Sequence, residues 1–493
     1  MLVAAFVVDR VALWAAGMGF NGVALHPPSS TFAQWQLLGP RLLEHHLLAS
    51  LWELHSQPPL YNIGVALLLY LPRGAQVPVA AVVGTGMGLA LTLAAYGCLA
   101  ALGVPSRVAT AVVLVLMVAN PASAMYERWL FYAEPTALAL MAMALGAVRV
   151  VRTRRWPDAL LFFAAGATAT LLNSTYQWVW LLLAALPVVL VCRRQWRTLA
   201  RSAAVPMAVV AFWVVKDAAL FGTATTSSWV GMNLADTTVA AQPAAVVHAL
   251  VRSGVLSSLA EVPPFSPVSA YAPRFFPAPP PGRGALDQRV ESTGITNFDN
   301  AVFLAVSRAY LAQDLRFIRA EPGRYLTVVG RAMDLWTVPA DDYPFVAALR
   351  APVAGWARLY DLAVLWQPRA TPRAGLVAEF GHRAPSPLAV SWLTVLETLL
   401  AVAVAPVVVW RWRRTDAARA AALAVVWFTS TYAFVLTSLF EVGENNRFAV
   451  ELGPLPLVAA TVVVTGAVRG LARRRAADGD DRGTRTLPLP GWS

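Results

Sequence analysis

Acidic and histidine side chains that could do chemistry occur in a polar segment after the first apolar run. This segment carries Glu44, Glu53 and His55, and its leucines recur at helical spacing, which predicts an amphipathic surface helix ending at Pro58. Glu44 and His55 are eleven residues apart, close to three turns, so they would share one helix face. A carboxylate at a water–membrane boundary is desolvated, which raises its pKa and lets it act as a general base. We predict that Glu44 or Glu53 is this base, with Glu44 preferred because it faces His55; each acid could equally be a solvated surface group.

Two later segments carry paired charges between apolar runs. Glu127 and Arg128 are adjacent, at a depth where a charge needs a partner or a function. We predict that Glu127 assists the base and that Arg128 contacts substrate. In the last segment Glu444 and Arg447 are separated by two amides, and the planar guanidinium there could clamp a phosphate. The alternative for both pairs is structural, as Glu–Arg pairs that hold helices together.

Other side chains add candidate binding groups. Lys216, next to Asp217 near the end of a long apolar run, could bind an anion, or the two could form an interfacial pair whose ammonium group reaches the membrane surface. Trp229 offers a flat ring face on which a ligand could stack. The first segment could hold a divalent metal, because oxygen and imidazole ligands cluster there, namely Glu44, His45, His46 and His55. No other cofactor is indicated.

The composition indicates the class of protein in which these residues must be positioned. Of the 493 residues, 58% are hydrophobic and 13% are charged, and the mean hydropathy is +0.57. Soluble domains carry about 25% charged residues, so the composition excludes an ordinary soluble enzyme and a disordered chain, and predicts an all-α polytopic membrane protein. The net charge of +12 does not indicate a nucleic-acid partner, because the arginines lie between apolar runs, where they set topology. The two cysteines lie in apolar runs and predict no disulfide framework.

The apolar runs predict about ten membrane spans. They lie near residues 3–25, 77–102, 106–120, 134–151, 157–173, 175–192, 199–221, 387–410, 417–440 and 449–470. Arginines cluster at every second junction, which places both termini in the cytoplasm by the positive-inside rule. The outward segments are then 26–76, 121–133, 222–386 and 441–448. The apolar run from Leu60 to Leu71 is too short to span and predicts a helix at the outer membrane surface.

The same pattern predicts four regions along the chain. Residues 1–221 form a transmembrane module with two outer catalytic-type loops, 26–76 and 121–133. Residues 222–386 form a large outer loop, in which 301–337 has the spacing of amphipathic helices. Residues 387–470 form the last transmembrane helices, and 471–493 are predicted to be a disordered cytoplasmic tail. Asp9 and Arg10 are predicted to lie at the cytoplasmic edge of the first span.

Three short motifs point to a family. They are the turn from His55 through Gln57 to Leu60, the segment that follows Asn120-Pro121, and the turn from Glu444 to Phe448. With the apolar first span, these motifs resemble the GT-C superfamily of membrane glycosyltransferases, in particular its protein O-mannosyltransferase and lipid A aminoarabinose transferase group. The family has an acid soon after the first span, whereas residues 27–34 of this chain contain none, so the base role passes to Glu44 or Glu53.

The resemblance implies a GT-C-like fold and an inverting sugar transfer in the bacterial cell membrane, with the active side extracytoplasmic. The donor would be a polyprenyl-phosphate sugar lipid, and the acceptor a glycan, a lipid or a protein. The residues expected to bind these substrates are His55, Gln57, Arg128, Lys216, Trp229, Glu444 and Arg447. Two alternatives stay open: a lipid-glycan carrier or flippase, and a degenerate structural member of an envelope complex. A flippase should carry a polar lane through several spans, which the apolar runs lack.

Overall fold

The computed structural model describes residues 1–20, 35–277, 282, 284–367 and 390–483. Within these ranges the regular elements are all helices and there is no β-strand, only an isolated bridge between Val290 and Thr296. The predicted all-α class is confirmed.

Six helices in the described ranges are long and apolar enough to cross a membrane. They are Arg73–Ala101, Ala133–Thr153, Arg193–Phe221, Trp392–Thr415, Ala417–Phe440 and Pro454–Ala472. A seventh candidate is the pair Ser106–Val118 and Pro121–Glu127, which is bent by 62°. These helices match seven of the ten predicted spans, as expected for a polytopic membrane protein.

The other three predicted spans are shorter helices. They are Leu2–Ala15, Trp156–Leu172 and Trp178–Val191. The apolar run from Leu60 to Leu71 forms the helix Pro59–Leu69, which begins at the second of two prolines because a proline fits the first turn of a helix; its predicted place at the outer membrane surface stays a prediction. The last helix extends from Pro454 to Gly483, so residues 471–483 are helical rather than disordered as predicted; residues 484–493 lie outside the described part of the chain.

Hydrogen bonds between the segments that join the helices show which helix ends lie on the same side of the protein. Arg469 donates a hydrogen bond from Nη1 to the carbonyl oxygen of Gly103 at 2.8 Å, and Arg154 Nη1 donates to the Val191 carbonyl at 2.8 Å. These junctions are among those that the sequence places in the cytoplasm. The helix Ala417–Phe440 has Arg419 in its first turn. It is followed by Glu441, which belongs to a predicted outward segment.

The segment after the seventh predicted span has a hydrophobic core of its own. Its longer helices are Val230–Thr237, Ala244–Arg252, Val302–Ala320, Pro322–Trp336 and Ala354–Ala363, with shorter turns at Val268–Tyr271 and Ala347–Arg350. Residues 301–337, predicted to be amphipathic, form two helices that are interrupted at Glu321. Phe303 and Tyr310 are buried in this core, whereas Arg308 is exposed. This region therefore packs as a folded layer over one end of the long helices.

The first polar segment departs from its prediction. Two short helices, Pro40–His45 and Leu47–Glu53, replace the single predicted helix, because the backbone of His46 leaves the helical region at φ −135° and ψ 27°. His55 lies beyond the end of the second helix. Glu44 and His55 therefore do not share a helix face, and the argument that favoured Glu44 as the base is wrong.

Candidate functional site

A cavity of about 520 Å³ lies where the predicted outward segments meet. We call it the aromatic cavity. Its wall comes from residues 35, 36, 57, 129, 131, 132, 173–175, 229, 233, 236, 240, 263–265, 343, 345, 441, 442, 444, 447 and 448. Each of these stretches lies in a predicted outward segment or at the junction of the fifth and sixth predicted spans. Segments that are far apart in the sequence thus meet at one end of the helices.

Aromatic side chains form two walls of this cavity. On one side the rings of Trp129 and Phe131 stack with centroids 4.3 Å apart and planes 11° apart. On the other side Trp35 stacks on Phe265 at 5.0 Å, and Trp229 meets the same ring edge-on at 5.0 Å. A cavity with flat aromatic walls and a few polar groups suits a small ring with one apolar face, such as a sugar.

Three carboxyl groups line the aromatic cavity, the first of them on the helix Val230–Thr237. Trp229, Asn233 and Asp236 are four and then three residues apart, so they lie along one helix face that borders the cavity. Burial raises the pKa of Asp236 well above its ordinary value, and the carboxylates of Glu444 and Asp314 raise it further. A carboxyl group of this kind binds a proton tightly and is a strong base once ionised.

The other two carboxyl groups come from the last predicted outward segment. Burial raises the pKa of Glu441 well above its ordinary value, and the nearby Glu444 carboxylate adds to the effect. Glu444 is held in place: Tyr343 donates its hydroxyl hydrogen to Oε1 at 2.8 Å, and Arg447 donates from Nη2 to Oε2 at 2.5 Å. Glu444 is therefore fixed by two donors, whereas no such cation is paired with Asp236 or Glu441 among the described ion pairs.

Arg447 lies in the cavity wall between two carboxylates. Its side chain is 1% exposed, and its Nη2 and Nη1 atoms lie 2.5 Å from Glu444 and Glu451, respectively. Burial alone would lower the pKa of Arg447, but Glu444 and other neighbours hold it well above its ordinary value. The guanidinium also packs on the rings of Phe448 and Phe131, at 4.3 and 4.9 Å from their centroids. Its charge is thus balanced within the protein, which is the structural alternative that the sequence left open.

His55, predicted to bind substrate, instead supports the turn that carries Gln57 to the cavity. Its ring is 1% exposed, with Nδ1 2.7 Å from the hydroxyl of Ser228. The Asp299 carboxylate accepts hydrogen bonds from the backbone N–H groups of His55 and Ser56, at 2.9 and 3.0 Å. Burial lowers the pKa of His55 to about 3, so its imidazole is neutral at physiological pH. Gln57 itself lines the aromatic cavity, as its predicted role requires.

Lys216 also makes internal contacts. Its ammonium group donates to the carbonyl oxygen of Leu54 at 2.6 Å, lies 2.8 Å from Asp217 Oδ1, and sits 4.5 Å from the ring centroid of Trp213. The side chain is buried rather than extended to the membrane surface. Lys216 therefore anchors the first polar segment to a long helix instead of forming the predicted anion site.

The predicted bases lie away from the aromatic cavity. Glu44 is partly exposed, with Oε2 3.9 Å from Nε2 of His45. Glu53 accepts a hydrogen bond from the backbone N–H of Ala285 at 2.9 Å. Arg128, predicted to bind substrate, donates from Nη1 to the Met18 carbonyl at 3.0 Å. None of these three side chains belongs to the described wall of the aromatic cavity.

Glu127 lines a smaller cavity of about 140 Å³ and is paired with Arg10. The Arg10 Nε and Nη2 atoms donate to the two Glu127 oxygens at 2.7 and 2.6 Å, and Nη1 donates to the Val118 carbonyl at 2.8 Å. Arg10 and Glu127 are therefore at the same level, so the prediction of Arg10 at the cytoplasmic edge and of Glu127 outside cannot both hold. A Cβ atom on Gly88 would overlap the Glu127 carboxylate, and one on Gly84 would overlap its backbone carbonyl.

No group of three or more His, Cys, Asp or Glu side chains in the described ranges is placed to hold a metal ion. The metal site suggested by Glu44, His45, His46 and His55 is not assembled, because His55 is buried against Ser228 and Asp299.

Asp236 and Glu441 were missed as candidates at the sequence level. Asp236 has a readable signal, because it continues the four-and-three spacing of Trp229 and Asn233 on one helix face. Glu441 has none, since a sequence does not show which acid of a turn faces inward.

A comparison of the chain with known protein families, curated proteins and solved structures finds no match.

Proposed function

We propose that the chain is a membrane glycosyltransferase that transfers a sugar, with inversion, from a polyprenyl-phosphate donor to an extracytoplasmic acceptor at the aromatic cavity. The observation that carries this proposal is that Asp236, Glu441 and Glu444 face one aromatic-walled cavity. The GT-C-like motifs noted in the sequence support it, since two of them, at Gln57 and at Glu444 to Phe448, contribute to the cavity wall.

The reaction needs one base. The acceptor hydroxyl gives its proton to a carboxylate, its oxygen forms a bond to the anomeric carbon, and the bond from that carbon to the phosphate oxygen breaks. The electron pair of the broken bond leaves with the polyprenyl phosphate, and the carboxyl group later releases the proton to water. Asp236 and Glu441 are the candidates for the base, in place of Glu44 and Glu53, because only they combine a position on the cavity with a raised pKa and no cation partner among the described ion pairs.

Glu444 and Arg447 have a positioning role in this proposal. Their 2.5 Å contact holds Glu444 in place, and the second contact of Arg447, with Glu451, fixes the guanidinium in the cavity wall. Trp129 and Trp229 supply ring faces for the sugar, and Gln57 supplies an amide. Glu127 has no part in the chemistry, since both of its carboxylate oxygens bind Arg10.

The proposed topology has ten spans, both termini in the cytoplasm and residues 222–386 outside the bacterial cell membrane. The arginine junctions support it, because Arg469 and Arg154 lie at helix ends that do not contribute to the aromatic cavity. A reporter fused after Gly284 should read as extracytoplasmic. A cytoplasmic reading would put the cavity on the wrong side for an outward-facing transfer.

The experiment that tests the function uses purified full-length chain in lipid nanodiscs with radiolabelled polyprenyl-phosphate mannose, glucose or aminoarabinose, and with octyl β-glucoside as a hydroxyl-bearing acceptor that takes up the sugar. We expect at least one donor to release polyprenyl phosphate, and we expect Asp236→Asn or Glu441→Gln to slow this release by about 10²–10⁴-fold, as for loss of a general base. Arg316→Gln, at an exposed position of the outer layer, is the matched control and should retain wild-type turnover. Binding of donor without any release would favour the carrier, and neither binding nor release would favour the structural alternative.

A further inference from the structure

A second cavity, of about 190 Å³, adjoins the aromatic cavity. The two share four wall residues, Ser174, Thr175, Asn233 and Glu441. Glu441 is the only ionisable side chain among these four. It therefore stands at the boundary between the two cavities and can face a group bound in either one.

The adjoining cavity is lined by hydroxyl and amide groups. Thr225, Ser227, Gln177 and Tyr432 contribute to its wall, and Glu441 is its only carboxyl group among the described wall residues. Hydrogen bonds hold several of these groups: Tyr432 donates to the Thr175 carbonyl at 2.9 Å, and Gln177 Nε2 donates to the Ser174 carbonyl at 2.7 Å. The polar groups of this wall are thus uncharged apart from Glu441, and several are fixed in position by hydrogen bonds.

One side of the adjoining cavity is a membrane-spanning helix. Tyr432, Leu436 and Phe440 are four residues apart on Ala417–Phe440, so they form one stripe that faces the cavity at the end where Glu441 follows. Val435, the residue directly before Leu436, is 38% exposed and does not line the cavity. A ligand here would meet an apolar stripe on one side and hydroxyl groups on the other.

We propose that the adjoining cavity binds the acceptor as a neutral, hydroxyl-bearing molecule, and that Glu441 takes the proton from the hydroxyl that reacts with the sugar held in the aromatic cavity. This inference rests on the proposed glycosyltransferase function and adds the place and the chemical class of the acceptor. It favours Glu441 over Asp236 as the base, because Asp236 lines the aromatic cavity and not the adjoining one. An anionic acceptor has no cation in the described wall. A hydroxyl group of the acceptor can instead donate to the serine, threonine and tyrosine oxygens there, whose own hydrogens are donated to backbone carbonyls.

The chemistry of the step is balanced without a further reactant. The proton of the acceptor hydroxyl moves to a Glu441 carboxylate oxygen as the acceptor oxygen bonds to the anomeric carbon. The carbon–oxygen bond to the lipid phosphate breaks, and polyprenyl phosphate leaves with the electron pair. The proton then passes from Glu441 to solvent.

The test fills the adjoining cavity while leaving the aromatic cavity open. Octyl β-glucoside, glycerol and a serine-containing peptide serve as neutral hydroxyl acceptors for the full-length protein, with the labelled donor that the wild-type protein consumes. Leu436→Trp should raise the KM for the acceptor at least tenfold and change the KM for the donor less than twofold. Val435→Trp, the exposed neighbour, is the matched control and should alter neither constant.

A second variant covers the case in which the bulky tryptophan prevents folding. Thr437→Val keeps the side-chain shape and removes one hydroxyl from the wall, so the KM for the acceptor should rise about threefold or more, with folding retained. The inference is overturned if the KM for the acceptor and the KM for the donor change equally, or if neither changes. It is also overturned if a wild-type protein that consumes donor transfers sugar to none of the three acceptors. A wild-type protein that consumes no donor overturns the proposed function itself, which is a separate result.

Discussion

Two acid-containing regions of this protein look alike in sequence and differ in structure. At the aromatic cavity, Asp236 and Glu441 border open space. At the smaller cavity, both oxygens of Glu127 are bound by Arg10, and the helix that carries Gly88 packs directly against the carboxylate. A buried acid bound on both oxygens holds two helices together, whereas a buried acid that faces a cavity can exchange a proton with a ligand. The number of bound carboxylate oxygens, and not burial, is what differs between the acids of the two regions.

The largest effect on folding is expected at Gly88, the glycine that leaves room for the Glu127 carboxylate. Gly88→Ala places a Cβ atom where the Glu127 carboxylate lies, so we expect loss of nearly all folded protein. Size-exclusion chromatography of the detergent-extracted protein measures this. Gly86→Ala, two residues earlier on the same helix with open space around it, should give a wild-type profile. A normal profile for the Gly88 variant would show that Glu127 is not confined there.

The Arg10–Glu127 pair should behave as a unit. Arg10→Met leaves a buried carboxylate unpaired, which should destabilise the protein by about 3–5 kcal/mol, as for other broken buried pairs. The double variant Arg10→Met with Glu127→Leu should recover most of this loss, since no unpaired charge remains. Thermal unfolding in detergent checks both. A double variant that is stable but inactive would show that Glu127 takes part in catalysis, and the two regions would then not differ in function.

The pH dependence of donor turnover should report the cavity acids. Because burial and the Glu444 carboxylate raise the pKa of Glu441 well above its ordinary value, the group ionises at a higher pH than a free carboxyl group and becomes a base only as the pH rises. We therefore expect turnover to increase by about tenfold per pH unit on the acidic side of that pKa, and Glu441→Gln to be slow and independent of pH there. Initial rates in nanodiscs between pH 6 and about 9 give this profile. A rate that falls with rising pH contradicts the role of a carboxylate base.

The smallest effects are expected at the two acids that the sequence favoured. Glu44→Gln removes a partly exposed carboxylate, and Glu53→Gln removes one that accepts the Ala285 N–H, so donor turnover should change by less than about threefold in each. The same turnover assay measures both variants. A loss comparable to that of Glu441→Gln would move the site to the first polar segment and away from the aromatic cavity.

Much of the helical layout could be predicted from the sequence, because long apolar runs and helical periodicity are local properties. The six long helices, the short helix Pro59–Leu69 and the amphipathic stretch at 301–337 follow from them. The break at His46 could not be predicted, since the leucine spacing continues through it and only the packing of the two short helices interrupts the backbone.

By itself the sequence determined that this is an apolar, helical chain whose polar segments between the spans carry the acids. Only the tertiary structure decided which acids border the aromatic cavity and which are bound by other residues. The hydrogen-bond donors to Glu127 and Glu53 are Arg10 and the backbone N–H of Ala285, 117 and 232 residues away, and no local pattern encodes contacts over such separations. Asp236 and Glu441, more than two hundred residues apart in the chain, meet at one cavity because the helices that carry them pack together. The ionisation and the reactivity of a carboxyl group depend on that surrounding, which exists only in the folded protein.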